Sequence, residues 1–103
     1  MKRPNVLFIL SDQHNAKCLG HNHHPDVKTP NLDRLAAGGV RFEHAVTQNP
    51  ICTPSRVSFL SGQYCHNHGY YGLGGPNPRG LPTVFGHFRR HGYRTGAMGK
   101  IHC

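Results

Sequence analysis

Asn5-Val-Leu-Phe-Ile-Leu10, closed by Ser11-Asp12, is an unbroken apolar run of β-forming residues near the start of a 103-residue chain. A strand with one wet face alternates polar and apolar residues. The lack of alternation here predicts a strand buried on both faces, as in a parallel sheet covered by helices. A polar, His-rich stretch, residues 13–28, follows. Thr29 is then placed to cap a helix, with Pro30 at its first position, Leu32, Leu35 and Ala36 on one face and Gly38-Gly39 as the stop. Val40 to Val46 half-alternates and predicts a second strand. A second helix is predicted from Cys52, with Thr53 as cap, Pro54 at the first helical position, Val57 and Leu60 sharing a face and Gly62 at the end. Residues 69–80 read as a Gly- and Pro-rich loop, and Gly72-Leu-Gly-Gly75 follows no strand, so it carries no nucleotide-binding weight. Leu81, Val84, Phe85 and Phe88 recur at helical spacing between Pro82 and Gly92, and Tyr93 to Met98 predicts a last strand. The order strand, helix, strand, helices, strand predicts an α/β fold with a mostly parallel sheet flanked by helices.

Composition narrows the function. Twelve Lys and Arg against four Asp and Glu give a formal charge of +8, and ten His add positive charge in acid, so an anionic partner is favoured. The basic residues are scattered rather than striped or interleaved with aromatics, so nucleic acid is not expected. A basic, non-catalytic module for polyanions or nucleic acid is the alternative of another class. Hydrophobic residues make up 36% and no Trp is present, so the core is expected to be thin. Lys2 and Arg3 precede an apolar stretch, Val6 to Leu10, that is shorter than the roughly 7–15 residues of a secretory signal. No run approaches a membrane span. A cytoplasmic protein with no membrane partner is expected, with Cys18, Cys52, Cys65 and Cys103 reduced rather than paired.

In open α/β sheets, ligands collect beyond the carboxyl ends of strands and at helix N-termini, where unpaired N–H groups attract anions. Three groups fall there independently: Asp12 and Gln13 after the first strand, Cys52 at the start of a helix, and Lys100 and His102 after the last strand. Arg56 lies one turn beyond Cys52, so a bound oxyanion would be stabilised there. Taken alone, a cysteine such as Cys52 is more often a small buried hydrophobe than a functional group. His21, His23 and His24, or Cys65 with His66 and His68, lack the paired spacing of a structural zinc site.

Cys52-Thr-Pro-Ser-Arg56, continued through Leu60-Ser-Gly62, resembles the C-x-P-S-R-x-x-x-L-T-G signature of the sulfatase family, with Ser61 as a conservative departure. Gly92-Tyr-Arg-Thr-Gly-Ala-Met-Gly-Lys-Ile-His102 resembles the family's second signature. Asn5 to Gln13, Thr29 to Ala36 and Gly62 to Gly69 are also similar to segments of these enzymes, so the resemblance covers essentially the whole chain.

The resemblance implies the N-terminal portion, residues 1–103, of the catalytic domain of a formylglycine-dependent sulfuric ester hydrolase with an alkaline-phosphatase-like sandwich. It implies that a formylglycine-generating enzyme oxidises Cys52, with Pro54 and Arg56 as recognition elements. The aldehyde hydrate offers two hydroxyls, one to attack sulfur and a second to drive elimination of sulfate. Asp12 matches a ligand of a divalent cation, calcium first and magnesium or manganese otherwise; Cys52, once modified, also touches the ion. Gln13 stands where a second Asp is commoner, and as a neutral ligand it weakens the site. Arg56 is expected to orient the hydrated aldehyde, Lys100 to contact it and a sulfate oxygen, and His102 to assist elimination. His68 is expected near the pocket. A phosphonate or phosphate ester hydrolase of the same superfamily is the related alternative. Family members run several times longer and supply further metal ligands and a later His and Lys, so the portion alone is expected to be inactive.

Overall fold

Helices supply all the regular structure among the described residues, 3–74 and 80–101 of a computed structural model. The chain divides into two compact units, Met1–His44 and Ala45–Cys103.

The first unit is built around α1, Pro30–Gly38. Pro30 begins the helix as the sequence predicts, because its missing N–H costs nothing there. Thr29, however, does not cap it with its side chain. Its hydroxyl is engaged elsewhere, accepting from the Gly20 N–H at 2.8 Å and donating to Asp33 Oδ1 at 2.9 Å. Asp33 also accepts from the His21 N–H at 3.0 Å and faces the His21 ring nitrogen at 3.3 Å. These bonds tie a single 3₁₀ turn, Gly20–Asn22, to α1. Gly20 is needed for that approach, since a Cβ there would lie 2.5 Å from Asp33 Oδ2.

The second unit centres on α2, Cys52–Ser61, against which pack the short α3, Cys65–His68, and α4, Val84–Arg90. The helix starts at Cys52 itself, with Ile51 as N-cap, so Thr53 lies inside the first turn and does not cap. Burial explains why α2 has no wet first turn: Thr53, Pro54, Arg56, Val57 and Ser58 are all buried, and Pro54 is buried completely. Gly62 ends the helix in the left-handed region, φ 71°, with its N–H on the Ser58 carbonyl at 2.8 Å. In α4, Pro82 precedes the true cap: Thr83 accepts from the Gly86 N–H at 3.0 Å. The Phe88 ring closes edge-on against Tyr93 at 5.0 Å.

The expected sheet is absent among the described residues. Val6–Leu10, Val40–Val46 and Tyr93–Met98 lie in no strand, and Glu43-His44 form a turn inside the second of them. A strand exists only through a ladder to a neighbour, and a parallel strand also needs both faces covered. Neither condition is met, and Leu7 and Ile9 remain 84% and 79% exposed.

Candidate active site

Cys52 occupies the first residue of α2, half-buried and in no disulfide among the described residues. The sequence places it at a helix N-terminus, and so does the structure. Cys18 and Cys65 are likewise in no disulfide. One turn further on, Arg56 is only 7% exposed. A guanidinium removed from water needs acceptors, and one is the Lys100 carbonyl, reached by Nη1 at 2.5 Å. That bond brings the two signature segments together across 44 residues of chain. Lys100 itself is exposed, and His102 lies outside the described residues. Beside Cys52, the Thr53 hydroxyl is buried with no hydrogen-bond partner among the described residues.

Asp12 and Gln13 belong to the first unit, both exposed, and Gln13 adopts φ 29°, a backbone conformation uncommon for a residue with a side chain. A carboxylate and an amide oxygen are the donor chemistry a hard divalent cation takes, so the pair fits such an ion in kind. Two side chains do not complete its coordination shell, and among the described residues no three of His, Cys, Asp and Glu group as ligands. Two of the histidines considered for zinc have other engagements: the His21 ring faces Asp33, and His24 Nδ1 accepts from the N–H groups of Asp26 and Val27.

His68 lies in the packing between α3 and α2, 4% exposed. Its Nδ1 accepts from the Tyr70 N–H at 3.1 Å, and its Nε2 lies 2.9 Å from Ser58 Oγ. An acceptor at Nδ1 puts the proton of the neutral ring on Nε2, which donates to Ser58. Cys65 Sγ lies 3.7 Å from the same hydroxyl. Burial, with the charge of His66 in a lesser part, pushes the His68 pKa below that of an ordinary histidine. Ser58 was not singled out from the sequence, although its i, i+4 spacing from Pro54 places both on one helix face.

The Sulfatase family matches residues 4–103, and the chain belongs to that family. It is 39% identical to an arylsulfatase of Clostridium perfringens, which covers 97% of this chain and 21% of the relative. A similar match, 39% identical, is to an ulvan-active sulfatase of Formosa agariphila, over 97% of this chain and 20% of the relative. Arylsulfatase A of Bos taurus is 42% identical over 96% of this chain and 21% of its own length. The chain thus spans about a fifth of the length of the curated relatives it matches. No solved structure matches it. No helix among the described residues is long and apolar enough to cross a membrane.

Proposed function

We propose that residues 1–103 form the N-terminal portion of the catalytic domain of a sulfuric ester hydrolase whose nucleophile is a formylglycine made from Cys52. The observation that carries this is the placing of Cys52 at the head of α2, with Arg56 one turn on and bonded to the Lys100 carbonyl, in a chain of the sulfatase family. Relatives named as arylsulfatase and ulvan-active sulfatase support a sulfate ester as the substrate class.

When formed, the hydrated aldehyde supplies a hydroxyl nucleophile, and a divalent cation, calcium first and magnesium or manganese otherwise, supplies neutralising charge. The residues of this chain do the rest. The N-terminal end of α2 adds positive potential where negative charge develops. Arg56, fixed by burial, presents a permanent cation to the group at position 52. The Lys100 ammonium holds a sulfate oxygen, and an imidazole nitrogen of His102 relays a proton at the second hydroxyl. Asp12 and Gln13 would offer oxygens to such a cation.

Pro54 and Arg56 are the recognition elements for the formylglycine-generating enzyme. Both are buried once α2 packs, so the modifying enzyme reads this segment before it folds. The sheet of an alkaline-phosphatase-like sandwich forms in a longer chain, with Val6–Leu10, Val40–Val46 and Tyr93–Met98 as strands.

The test is mass spectrometry of the peptide spanning Cys52, from a full-length protein made with the oxidising enzyme. Conversion of CH₂SH to CHO, with aryl sulfate cleaved in preference to aryl phosphate and Cys52→Ala inactive, is the expected result. A retained thiol with undiminished sulfate-ester hydrolysis would remove the proposal, and a preference for phosphate esters would replace it with the phosphoester reading.

A further inference from the structure

We propose that His68 is a positioning residue, a buried imidazole that locks α3 and the Tyr70 backbone onto α2 through Ser58 and so fixes the helix that presents Cys52 and Arg56. The inference rests on the sulfatase proposal only for its activity readout. Both ends of the ring are engaged: Nδ1 accepts from the Tyr70 N–H, and Nε2 donates to Ser58 Oγ. Ser58 and His68 are 3% and 4% exposed, so the bond between them is shielded from exchange with water. No substrate reaches a ring so enclosed, which sets aside direct contact with the reacting atoms.

Ser58 lies two residues beyond Arg56 on α2, and Gly62, which ends that helix, places its N–H on the Ser58 carbonyl. The same residue therefore anchors the helix end by its backbone and α3 by its side chain. Displacing α2 moves Cys52 and Arg56 together. The titratable groups around the ring are Cys65, 3.7 Å from the same Ser58 hydroxyl, His66 on α3, whose charge acts on the ring, and Tyr70, whose ring tilts against it at 5.7 Å. Protonation of the ring turns Nδ1 from acceptor to donor and sets it against the Tyr70 N–H, which breaks one of the two bonds.

A glutamine amide nitrogen lies about where Nε2 does and carries no charge at any pH, so His68→Gln keeps the Ser58 bond without titrating. His68→Phe and Ser58→Ala remove it. In the modified full-length enzyme, kcat and KM for an aryl sulfate are measured against pH, and folding is checked by near-ultraviolet circular dichroism. His68→Phe and Ser58→Ala are expected to lower kcat about tenfold or more with KM little changed, as a small misplacement of reacting groups does. His68→Gln is expected to stay within a few-fold of the parent and to lose the acid limb expected of the parent. Equal kcat and unchanged pH profiles in all folded variants would overturn the proposal. Independently of any activity, nitrogen NMR of the ring is expected to report the Nε2–H tautomer persisting below pH 6.5. A ring protonated on both nitrogens at pH 7 would overturn the clamp even in an active sulfatase, whereas the expected tautomer in an inactive protein would indict the functional assignment alone.

Discussion

At the scale of the residue, Asp33 and His68 show how local partners set a pH response. Burial raises the Asp33 pKa, but hydrogen bonds from Thr29 and from the His21 backbone and ring, with the His21 charge, outweigh it and hold the carboxyl below its usual value. The unfolded chain therefore takes up a proton at Asp33 before the folded one does. The stabilisation is whole above the unfolded pKa near 3.8 and is lost as pH falls through the lower folded value. His68 gives the same sign in a different window. Its folded pKa is depressed from 6.5, so its stabilisation is whole above 6.5 and is lost as pH falls through the folded value. Hydrogen exchange followed against pH is expected to show residues of the second unit losing protection first, and residues 20–38 only in stronger acid. His68→Gln is expected to remove the first loss and Asp33→Asn the second. A first loss that survives His68→Gln would show that some other group drives it. Neither network is legible in the sequence. Thr29 looks like a cap, and only the approach of Gly20, nine residues earlier, turns its hydroxyl away from the helix. The pairing of Ser58 with His68 likewise depends on the turn after Gly62, which no local pattern specifies.

At the scale of the element, α1, α2 and α4 were readable because their signals are local, whereas α3 and the 3₁₀ turn at Gly20–Asn22 were not expected from the sequence. Pro30, Gly39, Gly62 and the apolar spacing of Val84, Phe85 and Phe88 fix those three helices to within a residue or two. The details that slipped are cap assignments. Thr53 falls inside α2 because Cys52 already has helical geometry, whereas Thr83 is a genuine cap hidden behind Pro82. Thr83→Ala is accordingly expected to destabilise the second unit by about 1 kcal/mol, whereas Thr29→Ala acts through the Asp33 network rather than through a cap. Gly62→Ala is expected to cost about 1 kcal/mol as well, because nothing lies within 4 Å of the added Cβ and the left-handed backbone alone opposes it. Denaturant midpoints at constant m-value measure both. A Gly62→Ala loss well above that figure would mean that the substitution also disturbs α3.

At the scale of the whole molecule, the strands are where sequence and structure part, because a strand is a property of two segments rather than one. Val6–Leu10 reads as a doubly covered strand, yet Val6, Leu7, Phe8 and Ile9 are 61% to 84% exposed. Soluble domains rarely leave so continuous an apolar run in water unless another surface covers it. The matched relatives are about five times as long as this chain, and a sheet assembled from their remaining length would supply the cover. The 103-residue chain alone is therefore expected to bind an apolar dye and to associate with rising concentration. Leu7→Lys with Ile9→Lys is expected to suppress both effects while leaving the helical circular dichroism unchanged, since neither residue belongs to a helix. In a chain extended to the length of the relatives, the same double substitution is expected to prevent folding, because it would bury two charges in the sheet. Amides of residues 6–10 should there be among the best protected from exchange. If they exchange as freely in the extended protein as in the short chain, the run is not a sheet strand, and the α/β architecture read from Asn5 to Leu10 must be given up.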